Sequence, residues 1–392
     1  MELPASRAAL DADHPIYRVQ RTGLMVGVAA LVLSAIGWVV TPEQFYRSYL
    51  LGYLFWFGIA LGSMAVLMIH HIAGGAWGAV IRRLLESSIG TIPILALFFL
   101  PIAFGMHHLY EWTHAAEVAH DPVLQAKAPY LNVPFFLVRA VFYFAVWIAL
   151  ATLLRRWSLE QDATDDPRTT TRLELLSRGG LVLYGLTVSF AAIDWMMSLQ
   201  PHWFSTVYGL LVMGGQGLAA FAFAIPLAVL LSRQRGLAPF FGPAQFHDLG
   251  NLMLAFTMIW AYLAFSQLLI IWSGNLPEEI SWYLRRSAHG WPVVGYGLVL
   301  LGFGLPFAVL LSRRLKRTGP QLAIVALWVI AIRFVDLYWL VVPSFDTSAL
   351  PHWLDFVTVI GIGGVWLWFF VGRLVSHPVL PLRDPSLPEV EA

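Results

Sequence analysis

Residues 132–147 read NVPFFLVRAVFYFAVW, an apolar run broken by a single cation, Arg139. The run opens a longer apolar segment, 132–154, which exceeds the ~20 residues needed to cross a bilayer as a helix. A charge at that depth costs about 3 kcal/mol or more, so the arginine belongs in the interior of a bundle, opposite a partner. Two aspartates lie in comparable settings: Asp194 on the next apolar span and Asp336 near the end of the ninth.

Nine further runs of spanning length surround that segment. The ten fall near 22–40, 46–72, 87–108, 132–154, 178–199, 203–232, 249–272, 290–312, 320–342 and 352–375. The second and sixth are the long ones, which suggests tilt or an extension past the membrane. The chain is 58% hydrophobic and 12% charged, with mean hydropathy +0.70. Soluble domains carry about twice that share of charge. The sequence therefore predicts an all-α integral membrane protein with ten transmembrane helices. A net charge of +1 implies neither nucleic acid nor a strongly acidic partner. No cysteine is present, so thiolate-ligated iron–sulfur clusters and covalently attached haem have no ligands in this chain.

Lysine and arginine positions set the expected orientation. With the N-terminus inside, eighteen cations fall on inside segments, among them Arg7, Arg82, Arg83, Arg155, Arg235, Lys316 and Arg373. Four fall outside (Arg47, Lys127, Arg285 and Arg286), and Arg139 and Arg333 lie within spans. The split places both termini in the cytoplasm. The lead, 1–21, lacks the short apolar core of a cleavable signal peptide. The loop 155–178 is expected to be flexible around 161–167, and the proline-rich tail, 376–392, to be extended. Tryptophans such as Trp38, Trp203 and Trp353 mark the span ends as an interfacial belt.

Internal similarity is visible. Asp194 precedes Pro201, and Asp336 precedes Pro343, by the same interval; Ser198–Trp203 is similar to Ser348–Trp353; Ser48, Gly52 and Gly58 share the spacing of Ser205, Gly209 and Gly215. These matches suggest that helices 2–5 and 6–9 are two related four-helix bundles, with two peripheral helices.

The helical rise of ~1.5 Å per residue puts Arg139, Asp194 and Asp336 each about 10 Å below the outer end of its span. Arg333 is one turn deeper than Asp336 and on the same face. These four groups are either a structural ion-pair lock between helices or a proton- and quinol-handling cluster. His107 and His108 end the third span nearby. At the inner side, His71, Glu86, His247 and Asp248 are candidates for the mouth of a proton route, because histidine titrates near neutral pH. Asp355, in the first turn after Pro351, is explained by the helix N-terminus alone. His70/His71 and His107/His108 sit at opposite ends of adjacent helices and cannot clamp one haem. No metal site is expected.

Three stretches carry a family resemblance: YLLGYLFWFGIALGSMAVLMIHHIAGGAWGAVIRRLLE (49–86), YLNVPFFLVRAVFYFAVWI (130–148) and AIDWMMSLQPHWFSTVYG (192–209). They resemble the membrane subunits of alternative complex III, a bacterial quinol:cytochrome c oxidoreductase, and the wider NrfD-like membrane-anchor group. Length and the short lead are closer to the second of its two such subunits, the quinone-binding subunit 2 type. The resemblance implies ten helices in two four-helix bundles in a bacterial inner membrane. It implies partners: a second NrfD-like subunit, an iron–sulfur subunit and multihaem cytochromes c. The implied chemistry is oxidation of menaquinol or ubiquinol, with this chain a subunit that holds no redox metal. Arg139 and Asp194 lie within the matching stretches. The rival expectations are a proton-coupled secondary transporter and a purely structural anchor.

Overall fold

A computed structural model describes residues 10–11, 13–164, 166–234, 236–345 and 348–387. Arg7, Arg235, Asp165 and the tail from Pro388 onward lie outside the described residues. Ten helices are long and apolar enough to cross a membrane: α1 (Ile16–Val40), α2 (Pro42–Ala73), α3 (Ala76–Phe104), α4 (Val133–Ala163), α5 (Arg168–Leu199), α6 (Tyr208–Leu231), α7 (Pro243–Gly274), α8 (Trp291–Leu310), α9 (Gly319–Ser344) and α10 (Trp353–Val375). Among the described residues all regular structure is helical. This is a multi-pass membrane protein: in hydrocarbon, helices satisfy their own backbone groups. Ten crossings bring the start of α1 and the end of α10 to the same side, called here the terminal face.

The helix ends follow from their sequences. Asn132 caps α4 by accepting from the Phe135 amide at 3.0 Å, with Pro134 in the first turn. Asp355 accepts from the His352 amide at 2.8 Å, as expected of a first-turn acid. Its other oxygen accepts from Ser48 on α2 at 2.5 Å, so the same carboxylate also ties α10 to α2.

Helix α2 is the most buried span and packs against α3, α5, α6 and α10; α1 lies against α10. Glycines set two of these approaches. A Cβ at position 62 would fall 1.9 Å from the Gln216 carbonyl oxygen, so the backbones of α2 and α6 touch. A Cβ at Gly364 would fall 2.2 Å from the Gly23 carbonyl oxygen, which seats α10 on α1. Large apolar side chains on α1, α4, α7 and α8, among them Val39, Val141, Tyr262 and Val299, are exposed and face the lipid region.

Several boundaries differ from the sequence reading. The apolar runs mark hydrocarbon, but the helices continue past it at the terminal face. Thus α3 begins at Ala76 rather than near 87, Arg82 and Arg83 are buried helical residues rather than loop charges, and Glu86 lies within the helix rather than at its start. Helix α4 runs on to Ala163, so Gln161 and Asp162 are ordered in a helix instead of lying in a flexible loop. The sixth span is not long; the chain turns through 201–207, and α6 starts only at Tyr208. The tail up to Leu387 is not a free extended end: Val379 and Leu380 are fully buried. Gly90 and Pro93 interrupt α3, and α8 widens into a π-helix over Leu298–Gly304.

Candidate functional site: a lipid-open cavity beside two buried ion pairs

Arg139 finds its expected partner. Its Nε and Nη2 donate to the two oxygens of Asp194 at 2.8 and 2.9 Å, a bidentate pair between α4 and α5. Tyr143 donates to the same carboxylate at 2.8 Å, and the remaining Arg139 terminus donates to the Tyr130 carbonyl at 2.9 Å. The guanidinium also lies 3.8 Å from the Tyr130 ring centre. Asp194 is fully buried and thoroughly engaged, which is the geometry of a lock between helices.

Asp336 is placed differently. Its neighbour is Arg333 on its own helix, with Nη2 2.8 Å from Oδ2. The approach is poorly aligned for a hydrogen bond, and among the described residues Asp336 Oδ2, Arg333 Nη1 and the indole nitrogen of Trp260 have no well-aligned hydrogen-bond partner, although Trp260 stands beside the Asp336 carboxylate. All three residues are nearly or fully buried. The two ion pairs are thus separate, not one four-residue network.

A cavity of about 830 Å³ opens between α7 and α8, with Asp336 and Trp260 in its wall. Gln267, Tyr283 and Arg286 line its end away from the terminal face. Burial pushes the Tyr283 phenol up to about 12, which keeps it a proton donor at neutral pH. Tyr262, Phe265, Tyr296 and Val299 form the rim and are exposed, so the mouth opens on the outer surface of the helix bundle. The π-helical turn of α8 borders this cavity; such widened turns recur at functional sites.

Arg286 was assigned from the sequence to an outer loop, yet it is almost completely buried. It donates to the carbonyls of Trp339, Trp282 and Leu340 at 3.0, 2.9 and 3.1 Å, and so caps the end of α9. It has no carboxylate partner among the described residues. Burial pushes its guanidinium down to about 9, which leaves it a cation at neutral pH beside the cavity. Nothing in the sequence separates it from its exposed neighbour Arg285. On the other side of Arg333 a void of about 60 Å³ is bordered by Trp195 and Gln216, with room for a few waters.

The histidine candidates are scattered. His107 and His108 are exposed; His108 stacks on Tyr46 with ring centres 4.9 Å apart, and the carbonyl of His107 faces His114 Nε2 at 2.9 Å. Neither ion pair is among these neighbours. His247 stands on the first turns of α7 beside Asp248 and Asn251. His71 faces Ser177 at 3.2 Å. The His71 ring lies 5.8 Å from that of His70, at the edge of the setting of Glu86, whereas His247 stands apart from both.

Glu86 instead belongs to a buried network at the terminal face. It accepts from Arg82 at 2.8 Å and also from Arg83 and Ser158. Arg82 reaches Asp384 of the tail at 2.8 Å, and His70 lies 3.4 Å from the same carboxylate. Arg83 pairs with Asp162, whose other oxygen accepts from the Leu382 amide at 2.9 Å. Basic and acidic residues were visible here in the sequence, but their convergence depends on the docked tail.

Among the described residues no group of three or more histidine or acidic side chains could hold a metal ion. No protein-family model matches the chain, and no curated protein matches it either.

Proposed function

We propose that the chain is a membrane subunit of a quinol-oxidising respiratory complex, and that the cavity between α7 and α8 takes the quinol ring from the bilayer. One observation carries this reading: an 830 Å³ space open to the outside of the bundle, whose wall holds a buried carboxylate paired, among the described residues, with an arginine of its own helix. An isoprenoid quinol is apolar along its tail and polar only at its ring oxygens. A lipid-facing mouth with Asp336, Tyr283 and Arg286 at depth matches that distribution. Oxidation of a quinol to a quinone releases two electrons and two protons. Asp336 would accept a proton from a ring hydroxyl, and Arg286 would favour the resulting negative charge on the oxygen. The electrons pass to an iron–sulfur or haem-bearing partner, the arrangement that the family resemblance implies. The distribution of lysine and arginine supports a terminal face on the cytoplasmic side, with the cavity in the outer half of a bacterial inner membrane.

The test is photocrosslinking with an azido-quinone in native membranes. Label on α7 and α8, around Tyr262, Phe265 and Tyr296, is expected. Label confined to other subunits, in a preparation that retains quinol oxidation, would remove the site from this chain. A transporter is the second reading, favoured by the interruption of α3 at Gly90 and Pro93 and by the π-helical turn of α8. Solute-dependent proton uptake by the chain alone in vesicles would establish it.

A further inference from the structure

The network around Arg82 and Arg83 uses up its own acids. Glu86 receives Arg82, Arg83 and Ser158, Asp162 receives Arg83 and the Leu382 amide, and Asp384 receives Arg82. Two arginines beside it are left over. Arg155 on α4 and Arg373 in the last turn of α10 make no ion pair and no side-chain hydrogen bond among the described residues, while His377 follows just beyond α10. All three line one small pocket at the terminal face together with Arg83 and Glu86.

Arg155 is seated rather than loose. Its guanidinium lies over Gly90, where a Cβ would come within 3.0 Å of its carbon, so the break in α3 makes the room it occupies. It is half-buried, with five N–H donors and no acceptor. Burial, followed by the charges of Arg155 and Arg83, pushes the His377 imidazole down against the opposing charges of Glu86 and Asp162, so the ring is a neutral hydrogen-bonding group at pH 7. An anion placed between the two guanidiniums would satisfy these donors and relieve their mutual repulsion.

The depth of the pocket narrows the choice of anion. Arg155 follows directly on the apolar run of α4, and Arg373 closes that of α10, so both stand where lipid headgroups lie. The pocket itself admits little more than one oxygen-sized group. The ligand would therefore sit at the mouth with the rest of its body in the bilayer. A phosphodiester suits this geometry: its two free oxygens match the forked donors of arginine, and acyl chains continue into hydrocarbon.

We propose that Arg155, Arg373 and His377 form a binding site for the phosphate of an anionic phospholipid at the terminal face. The site is independent of the quinol reading, because it rests on other residues at the other side of the membrane.

The purified full-length chain, released from detergent in native mass spectrometry, should keep phosphatidylglycerol in preference to phosphatidylcholine. R155Q/R373Q should keep roughly 25-fold less, and R373Q alone, at an exposed position, about fivefold less. R314Q/R317Q removes two exposed charges from another loop on the same face and should keep as much as the unaltered chain. Equal retention by the unaltered chain and R373Q would overturn the site. Displacement of the lipid by inorganic phosphate would overturn the lipid as ligand in favour of a free anion.

Discussion

Asp194 and Asp336 occupy matching places in sequence, each seven residues before a proline, yet their surroundings differ. Asp194 receives a forked arginine and a tyrosine from α4. Asp336 has as its charged partner, among the described residues, an arginine from its own helix, and α8 supplies no charged residue at all. In Asp194→Asn, Arg139 stays buried without its counter-charge, which costs about 3–5 kcal/mol when a buried pair loses one member. A large fall in thermal stability is the expected outcome, measured by melting of the purified chain. An unchanged melting temperature would remove the lock. The pairing of Arg139 with Asp194 was legible in the sequence, because a lone arginine in an apolar span demands a partner on a neighbouring helix. The separation of Asp336 into its own site was not. It depends on which way two side chains turn and on the space left beside α8.

At the scale of the element, the tail shows why composition misleads. Proline and charge in 376–387 read as an extended end, but a few side chains decide otherwise. Asp384 inserts against Arg82 and His70, Ser386 accepts from the Gly75 amide at 3.3 Å, and Leu380 is buried. Burial alone would raise the Asp384 carboxyl; the hydrogen bond with His70 and the charge of Arg82 more than offset it and hold it well below the usual range. A carboxyl depressed on folding contributes fully above its unfolded pKa, about 4, and its contribution is lost as pH falls through the lower folded value. Tail protection in hydrogen exchange should therefore be flat from neutral pH down to about 4 and fall only in stronger acid. Asp384→Asn should speed exchange over 379–387 roughly tenfold at neutral pH, as expected for loss of a charge-assisted bond. Protection unchanged in that variant would show that Val379 and Leu380 hold the tail without it. The number of spans was legible because hydrocarbon demands long apolar runs. Their ends at the terminal face were not, because the amphipathic extensions of α3 and α4 are buried by polar and ionic contacts between residues far apart in sequence.

Across the whole molecule, polarity is concentrated in two layers joined by apolar helices. One layer, at the terminal face, is a dense ion-pair network closed by the tail. The other lies toward the opposite face and holds the Arg139–Asp194 lock and the cavity of Asp336. The sequence similarity between 2–5 and 6–9 gives these last two a common frame. In the first half a cation from α4 fills the place beside the aspartate; in the second half the place beside α8 is open to lipid. The glycine at 295 leaves room there: a Cβ at that position would press on Trp339, in the cavity wall, at 3.0 Å. Under the proposed function, this open place takes up quinol protons through Asp336. Its most direct test is steady-state quinol oxidation by the purified complex carrying Asp336→Asn, with assembly checked by subunit content. Turnover lower by about a hundredfold or more is expected in a fully assembled complex, the ordinary scale for loss of a proton acceptor. Turnover equal to that of the unaltered complex would contradict it.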